Sequence, residues 1–360
     1  MDSLTDSVDG IRWKIEELDR EIMDLIQKRM QAAMKMGQHK VLKAMPVRNL
    51  RVEDEVVTRY KARAAEVGIS PAAAAEIASI LIRESVEAQA RMPRSMGARK
   101  ALIIGGSGKM GKWFGSFLQL RGMEISVLDP KPSKEFANVK DLSACKGADI
   151  IVVAVPLDKA PAILREIAAL KPKGLVFDIA SVKAPLIPAL KQAVEDGVKI
   201  CSIHPMFGPD ANSIYARNVI VCDCGNEAAL KEFVAIVDSM GCHVITMPVE
   251  DHDGLIVYVL GMSHALNIAF FEALRRSGRA FIDLEEVAST TFRKQAATAA
   301  DVASEDPRLY FEIQHANPHT EEMLDLLVSS LAEIRAAALH HEAKDFIKIM
   351  DEGKKYFGGD

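Results

Sequence analysis

At 360 residues the chain is too long for one ordinary core and suits two or three domains. Hydrophobic residues at 49% and charged residues at 26% give the balance of a soluble globular protein. The 45 basic and 50 acidic residues leave a net charge of −5, so there is no general basic field for nucleic acid.

The first ninety residues have helical periodicity. Asp6 or Ser7 caps a helix in which Ile11, Ile15, Leu18, Ile22, Leu25, Ile26 and Met30 form an apolar stripe running on to about Leu42. Pro46 breaks it. A second helix spans roughly Leu50 to Val67 and stops at Gly68. Ser70-Pro71 opens a third, as cap and first-turn proline, which ends near Ala90. Three helices with one very long member cannot close a core alone, so the long helices are expected to pack as a dimer. Met92 to Gly97 reads as a linker.

Beyond it, short apolar runs at Ala101–Ile104, Ile125–Leu128, Ile150–Val155, Leu175–Ile179 and Ile200–Ile203 alternate with helical patterns. That is the signature of a doubly wound parallel sheet. From about Asp251 the chain is helical again. Gly254–Arg276 is apolar nearly all round, as befits a bundle centre or subunit interface. Ser263, His264 and Asn267 interrupt it, so it reads as a buried helix and not a membrane span. No basic start precedes an apolar segment at the N-terminus, and the five scattered cysteines suit reduced thiols, so a cytoplasmic location and no metal are expected. The division expected is 1–92 helical, 93–99 linker, 100–250 Rossmann-type and 251–360 helical.

The first apolar strand leads into Gly105-Gly106-Ser107-Gly108-Lys109-Met110-Gly111, with a helix starting near Lys112. Gly106 is read as allowing the tight turn, Gly108 the approach of a pyrophosphate, and Gly111 close packing of helix on strand. The helix N-terminus supplies amide donors to phosphate. Asp129 ends the next strand, eighteen residues past Gly111, where an acid accepts ribose hydroxyls and favours NAD over NADP; Lys131 and Lys134 nearby weaken that preference. Gly106, Gly108, Lys109, Met110, Gly111 and Asp129 are the candidate cofactor contacts.

Three further stretches, Asp178 to Lys183, His204-Pro205-Met206-Phe207-Gly208-Pro209-Asp210, and His252-Asp253 with His264 twelve residues later, resemble prephenate dehydrogenases. The resemblance implies oxidative decarboxylation of prephenate to 4-hydroxyphenylpyruvate with NAD. His204, read as lying just after a strand, would be the catalytic imidazole that takes the ring-hydroxyl proton. Ser181 would bind the same hydroxyl; a helix cap before Pro185 is its other reading. His264 would be a substrate or cofactor contact, and His252 a substrate contact. Where the family has an arginine for a substrate carboxylate, five residues before Asp306-Pro307, this chain has Asp301. Arg293 is the better replacement and Lys294 the second. The departure also leaves arogenate open as substrate.

The N-terminal helices resemble the small helical chorismate mutases from about Ile11 to Gln89, so the whole chain resembles the bifunctional chorismate mutase–prephenate dehydrogenases of tyrosine biosynthesis. Carried over, the mutase site is Arg12, Arg29, Lys40, Glu53, Ser85 and Gln89. Arg29 and Lys40 lie about 20° off three full turns and about 16 Å apart along the axis, close enough for long side chains to converge. Arg12 lies on another face and would serve the partner's site. The arginines suit chorismate's carboxylates, Lys40 and Gln89 the ether oxygen, and Glu53 the ring hydroxyl. Asn49 and Val52 replace a common Asp and Arg, for which Arg48 or Arg51 could compensate. The alternative keeps the dehydrogenase and makes the helical domain weak or purely regulatory. Expected partners are chorismate, prephenate, a second copy of the chain, and tyrosine as candidate feedback inhibitor.

Overall fold

A computed structural model describes residues 7–43, 45, 49–90, 92, 99–237, 240–340 and 343–358. Arg48 and most of the expected linker, 93–98, lie outside the described residues. Contacts divide the chain into one unit of residues 1–179 with 189–247, and a second of 180–188 with 248–360.

In the first unit, α1 (Val8–Leu42) starts where the Ser7 hydroxyl accepts the Gly10 N–H at 3.0 Å. Helix α2 (Leu50–Glu66) starts on Asn49, whose side chain accepts the Val52 N–H. Asn and Asp cap equally well, so the exchange at position 49 costs the helix nothing. Helix α3 (Pro71–Ala90) buries Ala74, Ala78, Leu81, Ser85 and Gln89, one stripe at helical spacing, and packs against both other helices. Helix α1 extends about 52 Å, yet of its described residues only Gly37 is buried. Its apolar stripe stays open to solvent, with Leu18 46% and Leu25 63% exposed. Leaving so many large apolar side chains wet forgoes about 1.5–3 kcal/mol apiece.

The rest of the unit is one sheet of eight strands: β1 (Lys100–Ile104), β2 (Glu124–Leu128), β3 (Ala137–Asn138), β4 (Ile150–Val153), β5 (Leu175–Asp178), β6 (Ile200–Pro205), β7 (Asn218–Asp223) and β8 (His243–Pro248). Their spatial order is β3-β2-β1-β4-β5-β6-β7-β8. The first six pair in parallel, and β7 runs antiparallel to β6. Ile103, Val127, Val152, Phe177, Ile203 and Val221 face α4 (Lys109–Gln119) and α7 (Glu227–Val237) across one core. Their neighbours Leu102, Ile151 and Val176 are equally buried, because the chain returns through α5 (Ala160–Leu170) and α6 (Ile187–Glu195). A sheet covered on both faces requires continuous apolar runs. Five elements differ from the sequence reading. Strands β3, β7 and β8 were not expected, β4 stops at Val153, and α4 begins at Lys109 and not near Lys112.

The second unit holds α8 (Val249–Ile256), a π-helical segment (Val257–Met262), α9 (Ser263–Arg276), α10 (Phe281–Glu286), α11 (Thr290–Ser304), α12 (Pro307–Ala316), α13 (Thr320–Leu339) and α14 (Lys344–Tyr356). The π segment departs from the continuous α-helix expected there. The Gly261 carbonyl within it accepts the Gln314 amide at 2.7 Å, a side-chain bond that answers the disturbed ladder. The run Val249–Arg276 is long and apolar enough by composition to cross a membrane. Its buried face, however, carries His252, Asp253, His264 and Asn267, and Asn267 bonds Gln295 of α11. Leu255 and Val259, on the other side, are more than half exposed.

Candidate active sites

The turn from β1 into α4 is built by exclusion of side chains. Gly105, at φ +83°, makes the tight turn, and a Cβ there would overlap the Ala154 carbonyl. That role had been assigned to Gly106, which is instead crowded by Val127, 2.6 Å from where a Cβ would sit. A Cβ at Gly111 would overlap the Gly105 carbonyl, so Gly111 does allow helix α4 to close on the loop. Gly108 is the N-cap of α4 and has no side-chain capping bond. Asp129 accepts the Ser107 N–H at 3.0 Å and the Lys131 N–H at 2.9 Å. It therefore braces the loop, and its two oxygens retain lone pairs for a ligand. Above these residues lies a cavity of about 1220 Å³ lined by Gly105, Ser107, Gly108, Asp129, Lys131 and Val155. It sits where β1 and β4 diverge in chain order, the switch point at which doubly wound sheets bind ligands. An acid, exposed loop amides and a helix N-terminus suit a dinucleotide.

His204 lies within β6, not after it. It pairs with Ile220 of β7 and is 4% exposed. It shares a face of the sheet with Asp178 and Ser202, since Asp178 is in register with Ser202 and alternate residues point the same way. The segment that follows is fastened to α4. Phe207 packs on Trp113 at 5.0 Å between ring centroids, and the Trp113 indole donates to the Ala211 carbonyl at 2.7 Å.

In the second unit the Asp253 carboxylate accepts the backbone N–H groups of Lys183, at 2.9 and 3.1 Å, and Ala184, at 2.7 Å. It thereby holds the turn that begins at Ser181. His252 is fully buried with Nδ1 2.7 Å from Asp253. Direct contact with substrate, as expected for His252, does not fit that position; it buttresses Asp253. Burial pushes the Asp253 carboxyl up, but the bonds from His252, Lys183 and Ala184 outweigh it and hold the group below its ordinary value. His264 on α9 is 8% exposed and stacks on Tyr310 at 4.1 Å. Burial drives its pKa down to about 4, so it is neutral at pH 7, and its buried Nδ1 has no hydrogen-bond partner among the described residues. Arg293 and Asp301 are exposed on α11, Arg293 donating to the Glu285 carbonyl at 3.3 Å.

The helical site assembles around α3. Arg29 donates to Ser85 Oγ at 2.6 Å and to the Leu81 carbonyl at 2.8 Å. Gln89 is buried beside Gly37, where any side chain would strike it, and its Oε1 has no hydrogen-bond partner among the described residues. Lys40 and Glu53 are half-buried. Arg12 is exposed and ion-paired only loosely with Asp9, at 3.4 Å. Seventeen residues from Arg29 on one helix is about 25 Å, so Arg12 cannot join that site within its own chain. The sequence reading named Asp253 only as part of a motif, with no role, and missed Trp113 and Tyr215, whose hydroxyl lies 3.5 Å from Glu53.

A doubly wound sheet with this glycine turn and a buried histidine on its sixth strand defines a nucleotide-dependent oxidoreductase. Three family models divide the chain: chorismate mutase type II over residues 11–90, the nucleotide-binding domain of prephenate dehydrogenase over 130–246, and its dimerization domain over 248–352. The T-protein of Haemophilus influenzae is 24% identical over 364 residues, covering 99% of this chain and 94% of that one. A probable arogenate/prephenate dehydrogenase of Methanocaldococcus jannaschii is 28% identical over 272 residues; the match takes in 72% of this chain and 61% of that protein's length. Among solved structures, prephenate dehydrogenase from A. aeolicus, in complex with hydroxyphenyl propionate and NAD+, shares the fold with a TM-score of 0.60 at 20% identity, covering 73% of this chain and 98% of that one. The chain belongs to the prephenate dehydrogenase family, joined at its N-terminal side to a type II chorismate mutase. It is an isomerase and an oxidoreductase of tyrosine biosynthesis.

Proposed function

We propose that residues 1–92 rearrange chorismate to prephenate and that residues 100–250 and 251–360 together oxidise and decarboxylate prephenate to 4-hydroxyphenylpyruvate. The observation that carries the second reaction is the cavity over the glycine turn, on the same sheet that bears buried His204. Gly105, Gly108 and Asp129, with the amides at the start of α4, hold NAD. Bound NAD supplies the acceptor for the hydride of the hydroxyl-bearing ring carbon. His204, as neutral imidazole, draws the hydroxyl proton, and Ser181 hydrogen-bonds the same oxygen. Asp253 and His252 keep the Ser181 turn in shape. His264, kept neutral by burial, offers substrate a hydrogen bond without competing for the proton. Arg293 takes the carboxylate that the family's arginine would hold.

In the mutase no proton or covalent bond changes hands with the protein. Catalysis is confinement of a compact conformer and stabilisation of charge on the breaking ether oxygen. Arg29, pinned by Ser85, and Arg12 of the partner subunit clamp the carboxylates. Lys40 and Gln89 meet the ether oxygen, and Glu53 receives the ring hydroxyl. The uncovered stripe of α1 supports a homodimer; a cytoplasmic location and tyrosine as a candidate feedback inhibitor belong to the same reading. Purified protein given chorismate and NAD should consume chorismate, form NADH and release 4-hydroxyphenylpyruvate. His204→Asn should keep chorismate loss and lose NADH; NADH formation at the original rate would overturn the assignment. Asp301, in place of an arginine, favours a second reading in which arogenate, with its added ammonium group, is oxidised at least as well. Parallel kcat/KM values for the two substrates decide between them.

A further inference from the structure

Tyr215 belongs to the sheet domain by chain order, eleven residues past His204, yet its ring is in the helical bundle. It is 6% exposed and packs on Val86 and Ile82 of α3, the residues flanking Ser85. Its hydroxyl reaches Glu53 Oε2 of α2 at 3.5 Å, across 162 positions of sequence. The loop that presents it is tightly held. The Ser213 hydroxyl accepts the Tyr215 N–H at 3.3 Å, and the Ser213 carbonyl accepts the Arg217 side chain at 3.1 Å. Trp113 grips the Ala211 carbonyl. The next residue, Ala216, sits at φ +55°, and its N–H donates to the Gly241 carbonyl at 2.9 Å. A residue with a Cβ seldom adopts that conformation, and such strain persists only where the surroundings enforce it. Here the left-handed bend turns the chain back into β7 directly after Tyr215.

We propose that Tyr215 is a positioning residue of the mutase, supplied by the dehydrogenase part of the same chain. Its phenol donates to the Glu53 carboxylate and fixes that side chain's rotamer, so that Glu53 is ready to accept the ring hydroxyl of chorismate. The inference rests on the mutase role given to Glu53. It also means that one loop, running from the His204 strand to β7, serves both chemistries.

Tyr215→Phe removes the hydroxyl and leaves the ring packed on Val86 and Ile82. The full-length variant is assayed for chorismate loss without NAD, with kcat and KM determined separately, and in parallel for NADH formation from prephenate. Losing one hydrogen bond to a charged group should lower mutase kcat/KM about tenfold. The fall should lie in kcat, with KM within about twofold of the original, because the ring still fills its place and only the aim of the Glu53 carboxylate is lost. NADH formation should stay within about twofold of the original. An unchanged mutase, a fall carried by KM alone, or an equal fall in both activities would each overturn the proposal. Absence of chorismate loss in the unmodified protein would instead remove the mutase reading on which it stands.

Discussion

Asp253→Asn tests whether a buried carboxylate shapes the dehydrogenase site from behind. Three donors converge on its two oxygens: the Lys183 and Ala184 amides and, since a carboxylate only accepts, the Nδ1–H of His252. Asparagine keeps the volume but offers one acceptor oxygen and turns an NH2 group toward donors. Losing roughly one bond to a charged group costs about 2 kcal/mol, equivalent to about 30-fold. Because two of the three bonds end on the turn that follows Ser181, the loss should appear as a fall in dehydrogenase kcat. Hydrogen exchange should quicken in a peptide covering residues 180–188. Chorismate loss is read in the same preparation as a control for folding, since the mutase residues lie in the other unit. The Asp253 pKa is held below its ordinary value, so its stabilisation is present at neutral pH and fades as pH falls through the lowered value. If Asp253→Asn kept exchange protection and dehydrogenase activity within about threefold, the bracing role would be refuted.

Gly111→Ala should abolish NADH binding, measured by fluorescence titration, while sparing the mutase, because the added methyl collides with the Gly105 carbonyl. Arg29→Ala should lower mutase kcat/KM by about a hundredfold or more and leave NADH formation from prephenate intact. Burial lowers the His264 pKa to about 4, so between pH 6.5 and 4 the unfolded chain binds a proton that the folded chain does not. Stability should therefore fall on acidification through that window by up to about 3 kcal/mol. Thermal melts of His264→Gln should show a shallower decline; an identical slope would disprove the assignment.

Much of this architecture is legible in the amino-acid order because local rules and tertiary packing agree. Ser7, Asn49 and Pro71 mark the helix starts, and the central parallel strands announce themselves as apolar runs. Strand β7 was hidden because no helix separates it from β6, which breaks the alternation that revealed the others. Strand β8, mostly exposed, offers only the short pair Val244-Ile245 where the central strands have runs of four. In the glycine turn, spacing identified the ligand site but not which glycine takes the positive φ. His252 looked like a ligand contact because nothing nearby reveals that Asp253 reaches amides some seventy positions away. Tyr215 has no local signature at all, since its meaning lies in a contact 162 positions distant.

Residues 180–188 leave the sheet's sequence and fold with the C-terminal helices before the chain returns. The borders drawn along the gene and those drawn by contacts therefore disagree. A shortened protein ending at residue 248 would retain every strand yet orphan the stretch beginning at Ser181, where the Lys183 and Ala184 amides would lose the Asp253 carboxylate. Any attempt to exchange the C-terminal helices between relatives would have to transplant this interior nine-residue piece along with them.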